Sequence, residues 1–198
     1  MAKIQSRHNS TKKEIILEEA ARLFYKRGFN ASSMRHLAEK VGVEAASLYN
    51  HIHSKSQILK DICMKVAAEF NANIDRVEGS GQTAIWQVEE LLRFHIKKMI
   101  YSYEDVYVSD REWKHLAEPY LSDYRELRRA YRKRFAAIIQ RGVQQEEISS
   151  IDASTAVLIM LHAISGIESW HRSTQKINAE MLEENMVTIL VEGLRKNH

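Results

Sequence analysis

Apolar residues along this chain return at the three- and four-residue spacing of a helix face from one end to the other. The first stripe, Ile15, Ile16, Ala20, Leu23 and Phe24, stops at Gly28, and Thr11-Lys12-Lys13-Glu14 ahead of it reads as a capping box. Leu37, Ala38 and Val41 form a second, short stripe between Ser33 and Gly42. A hydroxyl at Ser33 is placed to accept from a free N–H of the first turn, and glycine at 42 suits a helix end that needs positive φ. Leu48 and Ile52 predict a third helix, from Glu44 to about Ile52. Ser54-Lys55-Ser56-Gln57 then opens a long helix to about Glu78, striped by Ile58, Leu59, Ile62, Val66, Ala67, Phe70 and Ile74. Gly79-Ser80-Gly81 is the clearest break in the chain.

Beyond it, Ile85, Val88, Leu91, Leu92, His95, Ile96 and Met99 predict a helix from Gln82 to about Ser102. Residues 105–118 read as a shorter, less regular helix holding Trp113. Pro119 suits the first turn of the next helix, which runs to about Gln145. Leu121, Tyr124, Leu127, Tyr131, Phe135, Ile138 and Ile139 share one of its faces; Arg125, Arg128, Arg129 and Arg132 lie opposite. Two apolar helices close the chain, about 152–172 and 178–196. The first carries Ala156, Ile159, Met160, Ala163, Ile164 and Ile167, the second Met181, Leu182, Met186, Ile189, Leu190 and Leu194. A terminal pair this apolar on more than one side is expected to pack against its own copy across a two-fold axis, the alternative being two helices buried in a monomer.

Composition points the same way. One proline and seven glycines in 198 residues leave little room for the turns of a β-rich chain, so the expected fold is all-α, about nine helices. The longest apolar stretch, Thr155 to Ile167, is interrupted by His162 and Ser165 and is too short to span a bilayer. No apolar run follows the basic N-terminus, and no membrane partner is expected. A lone cysteine, Cys63, excludes an internal disulfide and fits a reducing cytoplasm. The net charge of +3 is uneven: residues 1–60 hold 11 Lys and Arg against 5 Asp and Glu, the remainder 18 against 21. A basic head on a mildly acidic body fits a head that binds a polyanion. The expected division is a head of residues 1–53 and a body of residues 54–198, with the long helix shared.

Two short helices joined at Gly42 have the geometry of a helix-turn-helix. The outward side of the second shows Ala45, Ala46, Ser47, Tyr49, Asn50 and His51. Small Ala45 and Ala46 permit close approach to a major groove and contact with thymine methyls, and Asn50 can pair bidentately with adenine. Ser47, Tyr49 and His51 reach phosphates or base edges, while Ser33 and Lys55 sit at helix starts suited to a backbone phosphate. Lys3 and Arg7 are candidates for an N-terminal arm, a frayed tail being the alternative.

Gly28-Phe29, Ser32-Ser33, Leu37-Ala38, Val41-Gly42-Val43, Leu48-Tyr49-Asn50-His51-Ile52, Ser54-Lys55 and Leu59, taken together, resemble the TetR family of bacterial transcription regulators. His36, where that family usually has an acid, and Glu44, where Ser or Thr is common, depart from its pattern. The resemblance implies a homodimer joined through the last two helices, a palindromic double-stranded DNA operator, and a small-molecule effector held in the body. More narrowly, the Arg-rich helix Tyr124 to Gly142 and the run Ile164 to Arg172 resemble members that sense acyl-CoA thioesters. Glu146, where a glycine is usual, departs from that pattern, as do Thr174 to Asn178. An acyl-CoA needs an apolar tunnel, for which Leu92, Ile96, Met99, Tyr103, Trp113, Tyr124 and Trp170 are candidates. It also needs a cationic mouth, for which Arg125, Arg128, Arg129, Arg132 and Arg172 are candidates. Plain core and a solvated, ion-paired face are the respective alternatives.

The nine histidines show no metal-ligand spacing, and no nucleophile motif or phosphate-cradling loop appears, so no metal, cofactor or enzymatic activity is expected. The expected function is that of a repressor released from its operator by a hydrophobic effector. A helix-turn-helix activator or architectural protein without an effector, or a helical adaptor or enzyme that has lost the DNA role, remains as a rival.

Overall fold

The computed structural model describes residues 12–175 and 177–195 and is all-α there, apart from one isolated bridge between Ile148 and Arg195. The capping box at Thr11, the candidate arm at Lys3 and Arg7, and the end of the last predicted helix lie outside the described residues. Ten α-helices are present among those described: α1 Lys12–Arg27, α2 Met34–Val41, α3 Ala45–Tyr49, α4 Lys55–Glu78, α5 Ala84–Tyr101, α6 Tyr103–Arg111, α7 Tyr120–Gln144, α8 Ala153–Ser165, α9 Ile167–Arg172 and α10 Ala179–Glu192. A 3-10 turn, Trp113–His115, follows α6.

The chain forms two compact units. The first contains the residues up to Ala67 together with Glu104–Arg125; the second contains Ala68–Tyr103 and the residues from Glu126 onward. Helices α4 and α7 each contribute to both, whereas the boundary expected after residue 53 falls in the loop before α4.

In the first unit the stripes of α1, α2 and α4 meet around Phe24, Leu37, Leu48, Ile52, Ile58 and Leu59, all essentially inaccessible. Cys63 is fully buried with them. The segment 104–125 belongs to this unit through side-chain stacking: Tyr25 meets Tyr107 edge-on, and the Phe29 ring lies parallel to the His115 ring at 5.4 Å. Asp61 on α4 holds Lys13 of α1 at 2.8 Å. Burial alone would push the Asp61 carboxyl up, but its hydrogen bonds to Lys13 and Lys60 outweigh burial and keep its pKa below the ordinary value.

The second unit packs α5, α7, α8 and α10 around Leu91, Leu92, Ile96, Phe135, Ile138 and Ile139. Its helix starts follow the sequence: Thr83, Asp152 and Asn178 each accept the backbone N–H three residues on, capping α5, α8 and α10. Where α7 ends, the amides of Glu147 and Ile148 both turn back to the carbonyl of Gly142, and Glu146 takes φ 61°. The Glu147 carboxylate then accepts the Ile85 amide at 3.1 Å in the first turn of α5. Gly142 is required there, since a Cβ would lie 2.6 Å from the Ile148 side chain and 2.9 Å from that of Ala84.

The single helix predicted over 152–172 is instead α8 and α9, divided at Gly166. The Gly166 amide bonds to Ala163 three residues back, and a Cβ at 166 would lie 3.0 Å from the same carbonyl, so the chain tightens where a side chain would crowd it.

Candidate nucleic-acid interface

The head's two short helices are fixed by local hydrogen bonds. Ser33 has extended backbone, and its hydroxyl accepts the His36 amide at 3.2 Å, capping α2. The buried Ser32 hydroxyl donates to the Gly28 carbonyl at 2.8 Å and ties the preceding loop. At the other end Gly42 has φ 74° and ψ 33°, and the amides of Gly42 and Val43 converge on the Ala38 carbonyl. No acid stands in the first turn of α2, so the reciprocal half of its cap is absent. His36, which occupies that turn, lines a recess of about 260 Å³ with Leu23, Arg27, Glu39 and Lys40.

Helix α3 is shorter than the predicted Glu44 to Ile52. It spans five residues, and the amides of His51 and Ile52 both bond to the Leu48 carbonyl, turning the chain toward the next cap. A helix of this length has no stability of its own. Leu48 and Ile52, both completely buried, hold it down. Ala45, Ala46, Ser47, Tyr49, Asn50 and His51 are all exposed, and nearly half of the Tyr49 surface is accessible. Ser54 and Gln57 form the next cap: the Ser54 hydroxyl accepts the Gln57 amide, and the Gln57 side-chain oxygen accepts the His53 amide.

Lys55 does not face outward as the sequence reading has it. Its ammonium donates to the carbonyls of Phe29 at 2.7 Å, Ser32 at 2.9 Å and Asn30 at 3.4 Å, and lies 4.3 Å from the centre of the Phe29 ring. An ammonium has three donors, and all three are engaged. Lys55 therefore fastens the 29–32 loop to α4 and so positions the Ser33 cap. Phe29, at the centre of this arrangement, also carries the His115 stack.

The residues predicted to line an effector tunnel fall in both units. In the first, Trp113 packs near Tyr124, whose buried hydroxyl donates to the Ser109 carbonyl at 2.8 Å, and Arg125 is exposed. In the second, Leu92 and Ile96 are fully buried, Met99 is half-buried, and Tyr103 stacks on His171 at 4.1 Å. Trp170 donates its indole N–H to the Ile177 carbonyl. Among the arginines, Arg172 pairs with Glu168 on its own helix, Arg128 is half-buried, and Arg129 and Arg132 are exposed.

Sequence reasoning passed over a further group in the second unit. His95 Nε2 lies 2.7 Å from the Tyr131 hydroxyl, with Phe70 edge-on to both rings. Burial depresses the His95 pKa to about 3 and pushes the Tyr131 hydroxyl up, so both are neutral at physiological pH. The signal was the place of His95 on the α5 stripe beside Leu91, Leu92 and Ile96. Arg134, also passed over, closes on Glu78 and Asp75 at 2.5 and 2.6 Å, which raises its pKa.

A basic, three-helix head displaying a short, polar, small-residue helix defines a helix-turn-helix regulator. Residues 16–62 match the domain described as "Bacterial regulatory proteins, tetR family", and residues 81–194 match "Tetracyclin repressor-like, C-terminal domain". The chain belongs to the TetR family of bacterial regulatory proteins. It is 24% identical over 188 residues to the HTH-type transcriptional repressor KstR2 of Rhodococcus jostii (strain RHA1), covering 92% of this chain and 91% of that protein. The structure of the ketosteroid transcriptional regulator KstR2 of Mycobacterium tuberculosis superposes with a TM-score of 0.87 at 19% identity, over 96% of this chain and 98% of that one. AibR in complex with isovaleryl coenzyme A and operator DNA superposes with a TM-score of 0.79 at 22% identity, over 91% and 98%. Among the described residues no group of three or more His, Cys, Asp or Glu is placed to hold a metal ion, and no helix is long and apolar enough to cross a membrane.

Proposed function

We propose that this protein is a transcriptional repressor that binds a palindromic operator as a homodimer and leaves it when a small hydrophobic effector of the acyl-CoA class occupies the body. It acts in the cytoplasm, beside the DNA, and has no catalytic role. The observation that carries the reading is the exposed face of α3 backed by buried Leu48 and Ile52. Ala45, Ala46 and Asn50 on that face have the size and hydrogen-bonding groups for base edges, and Ser47, Tyr49 and His51 for phosphates.

The dimer follows from the surface of the second unit. Leu158 and Ile159 on α8, and Met181 and Ile189 on α10, are each at least half exposed. Apolar surface of this kind on the last helices fits an isologous interface. Two heads then read two half-sites about 34–36 Å apart. The effector class is supported by one structural neighbour: AibR, whose complex holds isovaleryl coenzyme A together with operator DNA, binds an activated carboxylic acid.

The test is fluorescence anisotropy of the full chain on duplex DNA from its own upstream region, titrated with a panel of acyl-CoA thioesters and the matching free acids. Release by at least one thioester, and not by coenzyme A alone, is expected. Tight operator binding that no thioester alters removes the effector half of the proposal, and salt-insensitive or absent binding to duplex DNA removes all of it.

A further inference from the structure

The second unit buries a polar group that its core does not need. His95 on α5 and Tyr131 on α7 form one 2.7 Å hydrogen bond, and the rings of Phe70 and Phe135 both meet the pair. Two neutral side chains of these types carry two polar hydrogens, one N–H and one O–H. Their mutual bond uses one. If the tyrosine donates to Nε2, the ring N–H remains at Nδ1; if Nε2 donates, the tyrosine O–H remains. Either way one donor is left over, and no other hydrogen bond engages either side chain among the described residues.

His95 also retains accessible surface, while Tyr131 and Phe135 have almost none. Asn73, one turn beyond Phe70 on the buried side of α4, adds a matching oddity. It is 92% buried, and its Oδ1 has no hydrogen-bond partner among the described residues. An unsatisfied buried polar group costs about 1–3 kcal/mol. The spare donor of the pair that half-buried His95 makes with Tyr131 and the unused acceptor of buried Asn73 are polar groups that a bound molecule can satisfy, in a unit whose core includes Leu92 and Ile96.

We propose that His95 and Tyr131 form the specificity element of the effector site, donating a hydrogen bond to a keto or hydroxyl oxygen carried on the apolar part of the effector. This rests on the acyl-thioester reading above and adds to it. The recognised ligand is then an oxygenated acyl group rather than a plain hydrocarbon chain. Because both residues stay neutral, recognition does not vary across the physiological pH range.

The experiment is isothermal titration of the full chain with CoA thioesters matched in carbon skeleton: one unsubstituted, one bearing a keto group and one a hydroxyl on the acyl part. Wild-type protein is expected to prefer an oxygenated member by about tenfold or more. In Tyr131→Phe, which keeps the ring, and in His95→Phe, that preference falls to within about twofold. Circular dichroism melting establishes that each variant is folded; should His95→Phe not fold, Tyr131→Phe and the wild-type ligand ratios decide alone. Equal wild-type affinity for substituted and unsubstituted thioesters overturns the proposal and leaves the thioester reading standing. So does a preference that survives both substitutions. Failure of every thioester to bind wild-type protein removes the underlying reading, and this proposal with it.

Discussion

Lys55 illustrates how a residue placed at a nucleic-acid surface can serve it indirectly. With its ammonium engaged by three backbone carbonyls, its loss removes the clasp on the 29–32 loop rather than a phosphate contact. Lys55→Met is expected to destabilise the protein by about 2 kcal/mol, since hydrogen bonds to a charged group are each worth about 1.5–3 kcal/mol and part of the loss is recovered by water. Urea denaturation measures this. The dependence of operator affinity on salt should be unchanged, whereas a phosphate-contacting lysine would lower the slope by about 1. Glu146 is a second informative residue. It stands at φ 61°, a left-handed conformation that costs a residue with a Cβ about 1–2 kcal/mol and glycine almost nothing. Glu146→Gly is therefore expected to stabilise the fold by about 1 kcal/mol in the same denaturation experiment. His95 sets an acid limit. Its folded pKa, about 3, lies below its ordinary 6.5, so below pH 6.5 the unfolded chain takes up a proton that the native state refuses. Stability is lost progressively as pH falls from 6.5 toward 3, by about 2 kcal/mol between pH 7 and pH 5. Unfolding measured at both values should show that increment in wild type and lack it in His95→Phe.

At the scale of elements, most of the helices were legible because their stripes and caps are local. Ser33, Thr83, Asp152 and Asn178 cap the helices whose apolar stripes follow them, and Gly42 ends α2 in the conformation that glycine favours. What was not legible depends on where carbonyls point. Leu48 receives two amides and ends α3 at Tyr49, though its stripe continues to Ile52. Gly166 divides α8 from α9 because its amide bonds three residues back, although the apolar pattern runs on through it. The clasp of Lys55 joins residues 23 to 26 positions apart, a separation that no helical period encodes. The close approach at Gly142 is likewise tertiary: its neighbours are Ala84 and Ile148 from other segments. Gly142→Ala places a methyl at 2.6 and 2.9 Å from those side chains, and is expected to cost about 1–3 kcal/mol in thermal or urea unfolding.

For the whole molecule, the charge asymmetry of the sequence marked out a basic head, but the compact units do not follow a cut at residue 53. Residues 104–125 join the head because Tyr107 and His115 stack on Tyr25 and Phe29, pairings across some 80 residues of chain. Helices α4 and α7 each contribute residues to both units. An effector needs a differential affinity of about 5.5 kcal/mol between two states to move the population from 1:99 to 99:1. The proposed dimer makes its own demand. Ile189, 72% exposed on α10, is expected at the centre of the interface. Ile189→Glu should shift light-scattering mass to that of a monomer and weaken operator binding by at least tenfold, while leaving the melting profile of each chain cooperative.

The central claim is that the exposed face of α3 reads duplex DNA twice per assembly, and selection of bound sequences from a random duplex library tests it most directly. Wild-type protein should enrich an inverted repeat whose half-sites lie about one helical turn apart or a multiple of it, and Asn50→Ala should alter the preferred bases at matching positions of both halves. Enrichment of an unrepeated sequence, or of the same repeat with unaltered preference after substitution of Asn50 and Ala46, would contradict the account.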